Sequence, residues 1–258
     1  MLYKWEYSFP QSEILNLESA IVMDLYQITD ALVSELQFLH FTPPVSHVYN
    51  PLEYARAGYD QYLDLYSRSP IEVILLGMNP GPWGMAQTGV PFGEVAAVRE
   101  WLLIEAPVGS PPEMHPKRPV EGFACSKSEV SGRRLWGWAK NRFQTPKRFF
   151  TRFFVGNYCP LSFIEPSGRN RTPNNLRVSE KKPLLEICDR ALRRTVQWLE
   201  PRYVVGVGQF ARERAEIALT GLDVIIGRIT HPSPANPKAN RGWEDLVTKE
   251  LEDLGIEI

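Results

Sequence analysis

"IEVILLGMNPGPWGMAQTGVPFGE", residues 71–94, opens on an apolar run, with Glu72 near its start, and then leaves regular structure. A short continuous apolar run reads as a strand buried on both faces. From Gly77 to Glu94, five glycines and three prolines fall within eighteen residues. That composition sustains neither a helix nor a long strand. An amide, Asn79, stands just past the apolar run. The stretch therefore predicts a strand at 71–76 that feeds a stiff, irregular loop built around an asparagine.

The pattern recurs outward from there. Strands are predicted at "RFFVG" (152–156), "YVVGVG" (203–208) and "DVIIGRI" (223–229). Helices are predicted over 94–103, over 131–143 with Ser131 as N-cap, over 183–200 and over 209–221, with a last helix ending near 254. Four short apolar strands alternating with helices predict an α/β fold: a four-stranded parallel sheet flanked by helices on both faces. Residues 12–41 carry helical spacing, as one long helix or two, and 42–70 read as a proline-bounded connection with a short helix near its end. Residues 106–122, 157–173 and 231–243 read as surface loops. With no internal repeat and no flexible linker, 1–258 is expected to be a single domain, residues 1–27 forming an N-terminal helical extension.

Composition narrows the function classes. A chain of 258 residues with 43% hydrophobic content can bury a full core. A formal charge of −1 gives no overall basic excess, so a nucleic-acid partner would need a local basic patch. Cys125, Cys159 and Cys188 are widely spaced, and His40, His47, His115 and His231 lack metal-ligand spacing. A reducing interior is expected, with no metal and no cofactor. The first ten residues carry no apolar signal segment and no run approaches the ~18 apolar residues of a membrane span. A soluble, intracellular protein with no membrane partner is expected.

Three of the four predicted strands end in unusual loops: "GMNPG", "NYCPL" and "HPSP". Ligands of open parallel sheets bind beyond the strand C-termini. Asn79, Asn157 and His231 are therefore expected to converge; the plainer alternative is that each only turns the chain after a strand. The fourth strand runs into "GVGQFA" (206–211), which matches a dinucleotide-binding pattern. No acidic residue closes the next strand, because Asp223 opens it, so tight strand–helix packing is the favoured reading. Lys117, Arg118, Arg133, Arg134, Lys140, Arg169, Arg171, Lys238 and Arg241 gather in nearby loops and helices. They are either a solvated face or contacts to phosphates, which glycine- and serine-containing loops suit.

The segments "GMNPGPWGMAQTGVPFGE", "HPKRP", "SEVSGRRLWG", "NYCPL", "PSGRNRTP", "VVGVG" and "HPSPANPKANRGW" closely resemble the single-strand-selective monofunctional uracil-DNA glycosylases. The likeness runs from about Leu36 to the C-terminal helix. It implies the uracil-DNA glycosylase fold and excision of uracil from single- or double-stranded DNA by a DNA-associated monomer (in the nucleoid or the nucleus). By the same resemblance Asn79 and His231 are catalytic, positioning water and stabilising the leaving base. Phe92 stacks on the flipped base, Asn157 reads its edge, and Met78 and Met85 line the pocket, although both also read as core fillers. Gly81 stands where the best-known relatives carry a bulky tyrosine. It implies room beside C5 for 5-substituted uracils such as 5-hydroxymethyluracil, and it also reads as a plain turn glycine. Pro232, Ser233, Pro234, Ala235, Asn236, Pro237 and Lys238, with Arg133 and Arg169, are expected to meet DNA. Ala235 departs from the family, whose last motif commonly has an arginine there. No lysine matches a Schiff-base position, so no strand cleavage is expected. A DNA-binding module of the same fold with an inactive pocket, and a nucleotide-cofactor enzyme built on "GVGQFA", are the other readings.

Overall fold

The structure, a computed structural model, describes residues 23–258. Its centre is a parallel sheet of four strands: β2 (Val73–Gly77), β3 (Phe153–Asn157), β6 (Tyr203–Val207) and β7 (Ile225–Ile229), in the order β3–β2–β6–β7. Every residue of β2 and β6 is buried, as the apolar runs predict for central strands covered on both faces. The edge strand β7 alternates exposed and buried positions, and α10 (Trp243–Asp253) packs against it.

Two helical groups cover the sheet. In one, α1 (Leu25–Leu36) packs on α8 (Val178–Leu199), and α9 (Gln209–Ala218) lies on β6. In the other, α6 (Val130–Phe143) and α7 (Pro146–Phe150) bring an aromatic cluster against β3, with Phe149 stacked on Phe153 at 5.0 Å and Trp138 edge-on to Phe153 at 6.1 Å. The small helices α2 (Pro51–Tyr54), α3 (Arg56–Tyr66), α4 (Met85–Thr88) and α5 (Val95–Glu100) fill the connections around β2. Cys125, Cys159 and Cys188 are buried free thiols.

Several sequence expectations change. The part of the 12–41 helix and of the 1–27 extension before Met23 lies outside the described residues. The connection 42–70 holds a strand and two helices, and α7 was missed. Helix α8 starts at Val178, before Pro183, which it accommodates by forgoing one i→i−4 bond. The N-cap of α6 is Glu129, not Ser131, and Glu129's side chain makes no capping bond. It turns inward instead.

The loop predicted at 157–173 is partly ordered as strands. β4 (Ser162–Ile164) pairs antiparallel with β1 (His47–Tyr49) and with β5 (Asn170–Arg171), giving a second, three-stranded sheet. This small sheet fixes the "PSGRNRTP" segment beside the main sheet's C-terminal edge. The 106–122 loop is tied to the same layer. Its His115 is 2% exposed, its N–H donates to Tyr49 Oη at 2.7 Å, and its Nδ1 accepts from Lys117 N at 3.1 Å.

Candidate active site

Strand register brings the first two site residues together. Gly77, the last residue of β2, pairs with Asn157, the last of β3. The ladder continues beyond the strands, with Tyr158 N donating to Gly77 O and Cys159 N to Met78 O, both at 2.9 Å. Asn79 therefore leaves the sheet beside Asn157. On the other side, β6 is followed by Gly208, which has φ +96° and precedes α9. A Cβ there would lie 3.3 Å from the Cβ of His231, so the strand between Asn79 and His231 contributes no side chain to the edge. Gly206 serves packing: a Cβ on it would run into the backbone nitrogen of Arg212 in α9. The "GVGQFA" segment is close strand–helix contact, as its missing acidic partner implies.

The edge opens into a cleft of about 310 Å³, at the low end of the ~300–1,000 Å³ common for small-molecule sites. Met78, Asn79, Gly81, Phe92, Asn157 and His231 line it together, and so does Ser233, which was expected only to meet DNA. Glu129, Ser131, Asn170 and Thr172 also line it and were not singled out beforehand. Met85 does not face this cleft. It is 2% exposed, and its sulfur accepts a hydrogen bond from Asn157 Nδ2 at 3.2 Å, so it backs the asparagine.

Local bonding fixes the orientation of each polar group. Asn79 Nδ2 donates to the Leu161 carbonyl at 3.1 Å, which leaves Oδ1 as a free acceptor. His231 Nδ1 accepts from the Ser233 backbone N–H at 3.1 Å. That bond requires an unprotonated Nδ1, so the neutral ring carries its proton on Nε2. Burial lowers the His231 pKa to about 4, so the ring is neutral at pH 7. The backbone before it is anchored. Thr230 N and Oγ1 each donate to the Glu250 carboxylate at 2.6 Å, and Trp243 Nε1 donates to Thr230 O at 2.7 Å.

Phe92 holds a left-handed backbone, φ 53°, which is uncommon outside glycine and marks a position enforced by its surroundings. Its carbonyl accepts from Trp136 Nε1 at 3.0 Å and from Glu94 N at 2.7 Å. Its ring lies 6.5 Å from the His231 ring and presses on Gly77, where a Cβ would come 2.6 Å from Phe92 Cε2. The glycine-rich loop is held by Gln87. Its Nε2 donates to Pro82 O at 2.9 Å and Pro119 O at 3.0 Å, and its Oε1 accepts from Glu121 N at 2.8 Å and Gly122 N at 3.2 Å. The amide's donors and acceptor are thus all engaged, and the loop is stiff for that reason.

Sequence similarity agrees with this arrangement. Residues 64–254 match the Uracil DNA glycosylase superfamily. The single-strand selective monofunctional uracil-DNA glycosylase of Rattus norvegicus is 52% identical over 227 residues, covering 87% of this chain and 82% of that protein. The protein of the same name from Bos taurus is 47% identical over 249 residues, covering 96% and 90%. The chain belongs to this family. Among solved structures, that of wild-type Pedobacter heparinus SMUG2 shares the fold, with a TM-score of 0.61 at 16% identity over 88% of this chain and 97% of that one.

The basic residues near the cleft divide in two. Arg134 donates to Pro232 O at 2.8 Å and Asn240 Oδ1 at 2.9 Å, so it fastens the "HPSP" loop. Arg118 donates to Gly168 O at 2.7 Å, and Arg171 pairs with Glu165 at 3.0 Å. These three are internal clamps, because their guanidinium donors are used within the chain. Arg133, Arg169 and Lys238 are exposed and form no salt bridge among the described residues. The 232–238 loop is fastened on itself: Ala235 N donates to Ser233 Oγ at 3.2 Å, and Lys238 N to Asn236 Oδ1 at 3.1 Å. Pro232 is buried, while Pro234, Ala235 and Pro237 are exposed.

Gly81 differs from its expected role in one respect. The space where its side chain would begin is taken by Glu129, whose Oε1 would be 2.5 Å from a Cβ on Gly81. No helix among the described residues is long and apolar enough to cross a membrane.

Proposed function

We propose that Asn79 and His231 hydrolyse the N-glycosidic bond of a uracil nucleotide flipped out of DNA into this cleft, within one domain and without cutting the strand. Uracil excision from DNA by a monofunctional enzyme is the activity carried in the relatives' names. A base must leave the stack before an enzyme can enclose it. Phe92 stacks on its face. Asn157 Nδ2 donates to O4 and its Oδ1 accepts from N3–H, a pattern that cytosine reverses. Pairing with O4 replaces the bond to the Met85 sulfur, a weak acceptor, so the exchange favours the base.

Bond breaking leaves an oxocarbenium-like sugar and a uracil anion. With Nδ2 held by Leu161, Asn79 Oδ1 accepts a hydrogen bond from water and places it for attack on C1′. An amide is a poor base, so Asn79 acts by positioning. His231 Nε2–H donates to O2 as charge develops there, a contribution of about 2.7–4 kcal/mol for one such donor. The observation that carries the proposal is this pair of fixed orientations: an acceptor free on Asn79 and a donor free on His231, in one cleft. In this mode C5 faces Gly81 and the Glu129 carboxyl that fills its side-chain space, and 5-substituted uracils such as 5-hydroxymethyluracil are also substrates. Arg133, Arg169 and Lys238 contact phosphates, and the 232–237 loop meets the vacated stack. Among the described residues no lysine lines the cleft, which supports hydrolysis without a Schiff base.

The test is product analysis on a uracil-containing oligonucleotide. Free uracil should appear, and the strand should break only after alkaline treatment. Strand breakage without that treatment, or no uracil release, would refute the proposal.

A further inference from the structure

Glu129 brings an unpartnered carboxyl to the cleft. Its Oε2 is sealed from solvent and is the only such buried side-chain oxygen or nitrogen among the described residues that makes no hydrogen bond. The carboxyl is seated in the glycine-rich loop: Oε2 occupies the space of a side chain on Gly84, and Oε1 that of one on Gly81. Two glycines of "GMNPGPWG" thus make room for a group 45 or more residues away in sequence, at the start of α6. Leaving a buried polar group unpaired is unfavourable, so the carboxyl calls for a partner, and the cleft that it lines is where a ligand could supply one.

We propose that Glu129 is a specificity-determining residue that hydrogen-bonds the hydroxyl of a hydroxymethyl group carried on C5 of the bound base. The inference rests on the binding mode proposed above. In that mode N1 is bonded to the sugar, His231 takes O2, and Asn157 takes N3–H and O4. The edge left unread is C5–C6. Uracil has no polar atom there, whereas 5-hydroxymethyluracil presents a hydroxyl that can donate and accept. Glu129 rises against Gly81, the residue beside C5 in this mode.

The charge state follows from the surroundings. Burial, and then the nearby Glu94 carboxylate, raise the Glu129 pKa to about 7. The cationic groups close in sequence look elsewhere: Lys127 Nζ lies 4.0 Å over the Trp83 ring, and Arg133 Nη1 donates to Ser128 Oγ at 3.2 Å. Across the cleft, His231 is neutral. Below neutral pH the carboxyl is an uncharged acid beside an apolar C5–H. Above it, a carboxylate lies near the uracil anion formed on cleavage, which opposes excision of uracil. A 5-hydroxymethyl group offers that carboxylate an O–H donor and offsets the penalty.

The experiment is single-turnover excision of uracil and of 5-hydroxymethyluracil from matched single-stranded oligonucleotides between pH 5.5 and 9, for the parent, Glu129→Ala and Glu129→Gln. Glu129→Ala should lower the ratio of 5-hydroxymethyluracil to uracil rates about tenfold, equivalent to 1.4 kcal/mol. In the parent that ratio should rise with pH through neutrality; in Glu129→Gln, which keeps the shape but cannot ionise, it should stay flat. An unchanged ratio in Glu129→Ala, or the same pH dependence in parent and Glu129→Gln, overturns the inference. Should the alanine variant fail to fold, the parent–glutamine comparison decides alone. A parent that cleaves neither substrate refutes the functional reading itself; a parent that releases uracil while the ratio never moves refutes only the role of Glu129.

Discussion

Gly132 in α6 has no space for a methyl group, and replacing it tests whether the strained Phe92 matters. A Cβ there would stand 2.1 Å from the Phe92 carbonyl oxygen and 3.0 Å from its carbon. The obstacle is backbone, so Gly132→Ala forces α6 and the 90–94 segment apart by about 1 Å, an overpacking that typically costs about 1–3 kcal/mol. That carbonyl is also where Trp136 Nε1 and Glu94 N donate. For a domain of this size the loss corresponds to a fall in Tm of roughly 2–12 °C. A displacement of about 1 Å in a positioning residue can lower a rate ~100-fold. Single-turnover uracil release should therefore fall by about that factor while the protein remains folded. Gly137→Ala, on the same helix, is the control: its Cβ would meet only Glu244 Oε1, at 3.7 Å. Exchanging a helical glycine for alanine there should stabilise by up to about 1 kcal/mol and leave the rate unchanged. If Gly132→Ala cleaves uracil as fast as Gly137→Ala, the Phe92 conformation is not what positions the base.

Ala235 is exposed at the tip of a self-fastened loop and is too short to fill a vacated stack. Ala235→Arg should raise single-turnover excision from U·A duplex by up to about tenfold, equivalent to 1.4 kcal/mol, and change single-strand excision much less; equal effects on both would rule out a wedge at this position. The His231 pKa, lowered from 6.5 to about 4, stabilises the fold above pH 6.5 and loses that contribution as pH falls toward 4. Melting temperatures across that window should drop less in His231→Gln than in the parent, and parallel curves would contradict the burial of the ring. Lys238→Ala should weaken DNA binding and reduce the slope of log K against log salt by about 0.9 on duplex, or about 0.7 on single strands. An unaltered slope would mean that Lys238 is only solvated surface.

Much of this was legible in the sequence because it depends on local pattern. The β2 run and its glycine–proline sequel announced both the sheet and its functional edge, and strand ends at "GMNPG", "NYCPL" and "HPSP" announced the convergence of Asn79, Asn157 and His231. β4 and β5, of three and two residues, carry no period to detect and exist only through pairing with distant segments. Charge alone does not reveal where a guanidinium turns, so Arg118, Arg134 and Arg171 read as either solvated surface or phosphate contacts although they are clamps. Glu129 was not singled out in the sequence; its signal was the pair Gly81 and Gly84, whose meaning appears only once α6 is docked. Gln87, inside "MAQTG", gave no sign of the four bonds it makes.

The central claim is that Asn79 and His231 act on the bond and not on DNA affinity. Its most direct test is single-turnover uracil release from a single-stranded oligonucleotide by Asn79→Ala and His231→Ala, measured beside the Kd of each variant for the same DNA. Each rate should fall by at least ~100-fold, the effect of losing one fixed donor or positioned reactant, with Kd nearly unchanged. Rates within a few-fold of the parent, or losses that appear only in Kd, would contradict the claim.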